Sequence, residues 1–213
     1  MYYPTAEDFD APFPPYLAKL TDYQATFAAF DEICGYPLSH EVAPSLWVGA
    51  QGAAGILMPF ENTPAARSKA LDQLRALKIS LIICCSDEKG DGAIFLNEGI
   101  RYVCAKLDDG DGEGKAASSP RFCEMLQEAI PLVKAAQTQG NSVQGNSVLV
   151  HCNSGCNRSA SIAAAILMAQ QKLRGPEGLA IVFRDMVRVR VVMRPSFWPL
   201  LQSVSFGDWL SSL

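Results

Sequence analysis

The chain has 213 residues and 49% hydrophobic content, enough for one domain with a sizeable core and too little for two comfortable ones. A net charge of −4 with 19% charged residues offers no basic field for nucleic acid or an anionic membrane surface. Seven cysteines would suggest disulfides in a secreted chain. However, the opening Met1-Tyr2-Tyr3-Pro4 has neither a basic nor an apolar leader segment, Tyr2 stands where myristoylation needs glycine, and no prenylation motif closes the chain. Reduced thiols in the cytoplasm, or the nucleus, are therefore expected.

In chain order, Pro4, Pro12, Pro14 and Pro15 indicate an irregular arm, followed by a helix from Tyr16 to Phe30; residues 1–40 form an extension whose role the sequence does not state. Leu46 to Gly49 reads as a strand. Thr63-Pro64 supplies an N-cap and first helical position, with Leu71, Leu74 and Leu77 striping the face expected on the sheet. Ser80 to Cys85 is a buried strand. The next segment imitates a calcium loop at Asp87, Asp91, Gly92 and Glu98, but Lys89 occupies a ligand position and a strand precedes it, so no metal site is expected. His40 and His151 have no ligand-type partners nearby either.

Arg101 to Leu107 is the next strand, and it empties into an acidic loop carrying Asp108, Asp109, Asp111 and Glu113. Ser119-Pro120 opens a helix with Phe122, Met125, Leu126 and Ala129 on one face, which Pro131 is expected to bend. Gln139 to Val143 is duplicated as Gln144 to Val148, a lengthened surface loop dispensable for chemistry. Gly175-Pro176 breaks and restarts the chain into a helix reaching about Val187, and a closing helix runs from Pro195 to Leu210. Residues 187–191 alternate like a strand.

The chemistry concentrates between Val148 and Ser161. Val148 to Val150 is an apolar run suited to a central strand, and Ser159 to Leu173 has the Ala-rich pattern of a packed helix. A loop between them can turn its amide N–H groups inward at the positive end of the helix, which makes a cradle for a tetrahedral oxyanion. Gly155 permits the backbone such a nest requires, and the planar fork of Arg158 spans two oxygens. Cys152 at the floor feels amides, helix terminus and guanidinium, a setting that lowers a cysteine pKa to roughly 3.5 to 7.5. The Ser159 hydroxyl can donate to that thiolate and improve it as a leaving group. For one cysteine, finding His before it with Gly, Arg and Ser at these offsets has a chance on the order of 10⁻⁵ from average composition.

His151-Cys152-x-x-Gly155-x-x-Arg158-Ser159 resembles the phosphate loop of the cysteine-dependent protein phosphatases, and its surroundings resemble the dual-specificity branch. Pro44 to Gly49, Ile79 to Asp87 and Tyr102 to Asp109 are similar to that branch's strands. The resemblance covers about residues 40 to 210 and implies a single α/β domain over 41–213, with a central, mostly parallel sheet of about five strands flanked by helices. For residues 187–191 it implies a helix end and a loop, against the alternating pattern.

It further implies two-step hydrolysis of phosphoserine, phosphothreonine and phosphotyrosine through a phosphocysteine on Cys152, with no metal or other cofactor. Asn153, Ser154, Gly155, Cys156, Asn157 and Arg158 would bind the phosphoryl oxygens, and His151 would tune the loop by hydrogen bonding. Asp109, seven residues after Tyr102, is selected as general acid, with Asp108 as runner-up. The neutral side chains of Asn153, Ser154, Cys156 and Asn157 favour a phosphorylated protein as partner over a phosphoinositide. A phosphoprotein-binding pseudophosphatase, or a phosphatase of phosphoinositides or phosphoglucans, is the alternative, and a sulfurtransferase or arsenate-reductase relative is a third reading. Cys85 occupies the place of a back-door cysteine and is the candidate redox partner of Cys152. No nucleic acid or membrane partner is implied, and the oligomeric state is not readable.

Overall fold

The computed structural model describes residues 39–54, 63–86, 92–104, 107, 120–138, 145–155, 157–188, 191, 193 and 197–202. Five strands form one sheet: β1 (Ser39–Ala43), β2 (Leu46–Ala50), β3 (Ile79–Cys84), β4 (Arg101–Cys104) and β5 (Ser147–Cys152). The order is β1-β2-β5-β3-β4, with β1 antiparallel to β2 and every other pairing parallel. β5 lies in the middle, and all six of its residues are buried. That explains its unbroken apolar run, since a parallel central strand is covered on both faces.

A 3₁₀ turn (Gln51–Ala54) follows β2, and six helices complete the described chain: α1 (Pro64–Ala76), α2 (Gly92–Asn97), α3 (Pro120–Thr138), α4 (Arg158–Gln170), α5 (Gly175–Arg188) and α6 (Trp198–Leu201). Alternation along the strands sorts side chains into two layers. Leu81, Ile83, Cys85, Val148, Val150 and Cys152 pack with α3, α4, α5 and α6. Ile79, Ile82 and Leu149 pack on the opposite face with Leu74 of α1, Phe95 of α2 and the 3₁₀ turn. The fold is thus the expected α/β domain with a mostly parallel five-stranded sheet.

The predicted stripes hold where they can be tested. Phe122, Met125, Leu126 and Ala129 of α3, and Leu179, Val182, Phe183 and Met186 of α5, are all buried. Pro131 sits inside α3 without ending it. Gly175 begins α5 at φ +63°, a conformation glycine adopts without a Cβ penalty. The strand-like alternation after Met186 does not make a strand: α5 continues through Arg188, and the Val191 N–H closes back on the Met186 carbonyl at 2.9 Å. Val191 is buried, so its hydrophobicity serves the helix end.

The closing helix is shorter within the described residues than its periodicity suggests, spanning Trp198–Leu201. Its Trp198 packs edge-on against Phe183 with ring centroids 5.4 Å apart, and Phe197 stacks on Phe122 at 4.8 Å. β1 and α2 have no counterpart in the sequence reading. The helix expected at residues 16–30, the first copy of the tandem repeat at 139–143, and the acidic loop from Asp108 through Glu113 lie outside the described residues.

Candidate active site

β5 delivers Cys152 to the end of the sheet, and α4 begins six residues later at Arg158. The loop between them closes on the thiol. The Gly155 N–H donates to the Cys152 sulfur at 3.3 Å, and the Ser159 hydroxyl lies 3.2 Å from the same sulfur. Cys152 is buried at this floor and Ser159 is fully buried beside it, while Asn153 and Ser154 face solvent on the rim. Asn157 stands at the N-cap of α4 with no side-chain cap bond, so the first-turn amides are not satisfied in that way.

Gly155 has φ +79°, the left-handed backbone expected of it. A second constraint acts there. A Cβ on Gly155 would meet the Gly49 carbonyl carbon at 2.9 Å and the Ala50 nitrogen at 3.1 Å. The loop therefore rests directly on the backbone where β2 turns, and the Gln51 N–H adds a hydrogen bond to the Asn153 carbonyl at 3.2 Å. Sequence reasoning found the glycine but missed this wall, because a backbone buttress leaves no signature in residue type.

Arg158 is 94% buried, at 6% exposure, and its Nη1 donates to the Leu107 carbonyl at 3.2 Å. Leu107 is buried immediately before Asp108 and Asp109, so the arginine of the anion loop is tied to the root of the acidic loop. Asp108, Asp109 and Cys156 themselves lie outside the described residues.

Cys85 extends β3 by one residue, its N–H bonding the His151 carbonyl at 2.8 Å, and it belongs to the same buried layer as Cys152. Burial pushes the Cys85 thiol well above its ordinary range, and the neighbouring Cys152 pushes it further in the same direction. His151 departs from its expected role. Its ring faces the other layer, tilted against Tyr102 with centroids 6.4 Å apart, and neither ring nitrogen has a hydrogen-bond partner among the described residues. Strand alternation is the reason: with Cys152 turned to one face, the residue before it must turn to the other.

The family described as "Dual specificity phosphatase, catalytic domain" matches residues 63–205. The chain belongs to the dual-specificity phosphatase family. As a cysteine-based phosphatase it also aligns with solved relatives across most of its length. A Tyr→His variant of human DUSP28 is 25% identical, covering 83% of this chain and 98% of that one, with a TM-score of 0.60. A mouse dual-specificity phosphatase crystallised with zinc tungstate is 22% identical, over 84% and 91% of the two chains, with a TM-score of 0.59. PTPMT1 is 18% identical over 82% and 97%, with a TM-score of 0.58. No curated protein matches the chain in sequence. Among the described residues of this phosphatase, no cluster of three or more His, Cys, Asp or Glu side chains is placed to hold a metal ion, and no helix is long and apolar enough to cross a membrane.

Proposed function

We propose that this phosphatase hydrolyses phosphoserine, phosphothreonine and phosphotyrosine in proteins through a phosphocysteine intermediate. The observation that carries the reading is the convergence on one sulfur of the Gly155 amide at 3.3 Å and the Ser159 hydroxyl at 3.2 Å. Cys152 attacks phosphorus as the substrate oxygen leaves, and the loop amides with Arg158 hold the equatorial oxygens through a loose, charge-spread transition state. Asp109, with Asp108 as alternative, protonates the leaving oxygen, since a serine alkoxide is too basic to depart unaided. Water then cleaves the phosphocysteine, and the Ser159 hydroxyl stabilises the departing thiolate. Cys85 serves as the partner that traps an oxidised Cys152 as a disulfide, which its place in the same layer at the adjacent strand end supports.

Protein substrates are favoured by the neutral rim of Asn153 and Ser154, both exposed, where a multiply phosphorylated headgroup would need cations. A phosphoinositide is the second reading, favoured by the likeness to PTPMT1, which has been crystallised with PI(5)P. A pseudophosphatase is disfavoured by the presence of Cys152 and Arg158 together. The test is acid quenching of the protein mixed with a labelled phosphopeptide or with labelled PI(5)P. A phosphopeptide that labels Cys152 and turns over with the higher kcat/KM is expected. Faster turnover of PI(5)P would reassign the substrate, and binding without turnover of either would make the chain a binding module.

A further inference from the structure

The opposite face of the sheet, at the same end, holds a thiol cluster that this chemistry does not use. Cys84 is the last residue of β3, Cys104 is the last residue of β4, and the two are register partners. Neighbouring strands lie about 4.8 Å apart, which falls within the Cα separation of roughly 4.4 to 6.8 Å that a disulfide spans. The sulfurs also converge. Cys84 Sγ lies 3.6 Å and Cys104 Sγ 3.5 Å from one acceptor, the Ser86 carbonyl oxygen.

On its other side Cys84 is the register partner of His151 on β5, and both side chains are fully buried. The titratable groups facing this spot from the packed strands are Cys84 on β3, Tyr102 and Cys104 on β4, and His151 on β5. Burial opposes ionisation of Cys84, while the neighbouring His151, Ser86 and Tyr102 together favour it, and the net effect lowers the thiol to about 6. Cys84 is fully buried, and Cys104 is only half-buried at the edge of the cluster.

We propose that Cys84 and Cys104 form a second dithiol site, oxidised by peroxides to a disulfide behind the phosphate loop without participation of Cys152. Peroxide reaches the half-buried Cys104 sulfur, which takes one oxygen as the O–O bond breaks, giving a sulfenic acid and water. The Cys84 thiol gives up its proton and attacks that sulfur, the S–S bond forms, and the hydroxyl leaves with that proton as water. In sum, two thiols are oxidised by two electrons and one peroxide is reduced to two waters. The position at two strand ends allows the small approach of the β-carbons that the bond requires. The product removes the thiol beside His151, the residue immediately before the nucleophile.

The experiment is peptide mapping of the Cys85→Ala/Cys152→Ser protein, under non-reducing conditions, after mild hydrogen peroxide. A crosslink between the Cys84 and Cys104 peptides, two hydrogens lighter than the reduced pair and reversed by dithiothreitol, is expected. It should vanish when Cys104→Ser is added. Oxidised Cys104 found only as sulfinic or sulfonic acid, or Cys84 joined to some other cysteine instead, would overturn the proposal. If the double variant does not fold, tandem fragmentation of the wild-type crosslinks separates Cys84 from Cys85 and gives the same decision.

Discussion

Cys84 and Cys85 are adjacent in sequence and opposite in chemistry, and the two faces of the sheet at that point differ accordingly. On the face of Cys85 lie Cys152 and the helices that build the anion loop, where burial and a second thiol hold the Cys85 proton in place. On the face of Cys84 the neighbouring His151 acts in the opposite direction and lowers the thiol. Closed to solvent alike, the two thiols thus shift in opposite directions. What a buried thiol can do is set by its ionisable neighbours as well as by its burial. In the proposed mechanism the first face serves the attack on phosphorus, and the second carries a pair of thiols that the reaction does not use.

The largest effect expected on the first face is that of Cys152→Ser, which should lower turnover of an aryl phosphate by at least about 10⁴, since without the nucleophile no covalent route remains. Phosphate-release kinetics measure it, and retained wild-type turnover would refute the assignment. Asp109→Ala should reduce turnover of a phosphopeptide by about 10² to 10⁴ while sparing aryl phosphates with good leaving groups. A larger loss from Asp108→Ala would transfer the role. Gly155→Ala should cost about 1 to 3 kcal/mol in a urea melt, because at φ +79° its new methyl meets backbone atoms of Gly49 and Ala50 that cannot swing away. It should also weaken vanadate binding, which an ordinary core defect elsewhere would leave unchanged.

The smallest expected effect sharpens the comparison from the second face. The folded Cys84 thiol ionises near 6, against about 8.5 in an unfolded chain. A depressed acid pKa stabilises the fold fully above the unfolded value, and that contribution is lost as pH falls through the folded one. Stability of the wild type should therefore drop between pH ~8.5 and ~6 more steeply than that of Cys84→Ser, measured as urea midpoints across that window. Parallel curves for the two proteins would show that the thiol is not ionised in the fold.

Much of this was legible in the sequence because it is local. The strand, loop and helix of the anion site follow one another without a break, and each carries its own periodicity, so Cys152, Gly155, Arg158 and Ser159 could be placed before any tertiary contact was known. The α5 stripe was legible for the same reason, while its last turn was misread by pattern because Val187, Val189 and Val191 alternate over too few residues to separate a strand from a helix end. β1 was invisible: of its five residues at a sheet edge, Ser39 to Ala43, only Val42 is buried, and they show no apolar alternation. The Arg158 bond to the Leu107 carbonyl and the seat of the loop on Gly49 and Ala50 were also out of reach, since both join distant segments through backbone atoms. The neighbourhood of His151 could have been inferred from parity along β5, which turns it away from any site that includes Cys152.

Parity also gives meaning to the irregularity in the pairing of β3 with β5 between Ile79 and Leu81. Ile79 and Ile82 lie on the same face although they are three residues apart, so one residue of β3 is unmatched at its beginning. Every side chain downstream is displaced by that one step. Deleting Ser80 would either pull the strand back into simple alternation, with the apolar set turned outward, or drag the preceding turn along to preserve the facing of Ile83. The segment from Ile79 to Cys85 therefore behaves like a reading frame: substitutions within it are matters of size and polarity, but an insertion or deletion of one residue would exchange the surroundings of its two cysteines. Lineages of this protein should accordingly vary in length before Ile79 and after Ser86, and keep the seven-residue span from Ile79 to Cys85 at constant length.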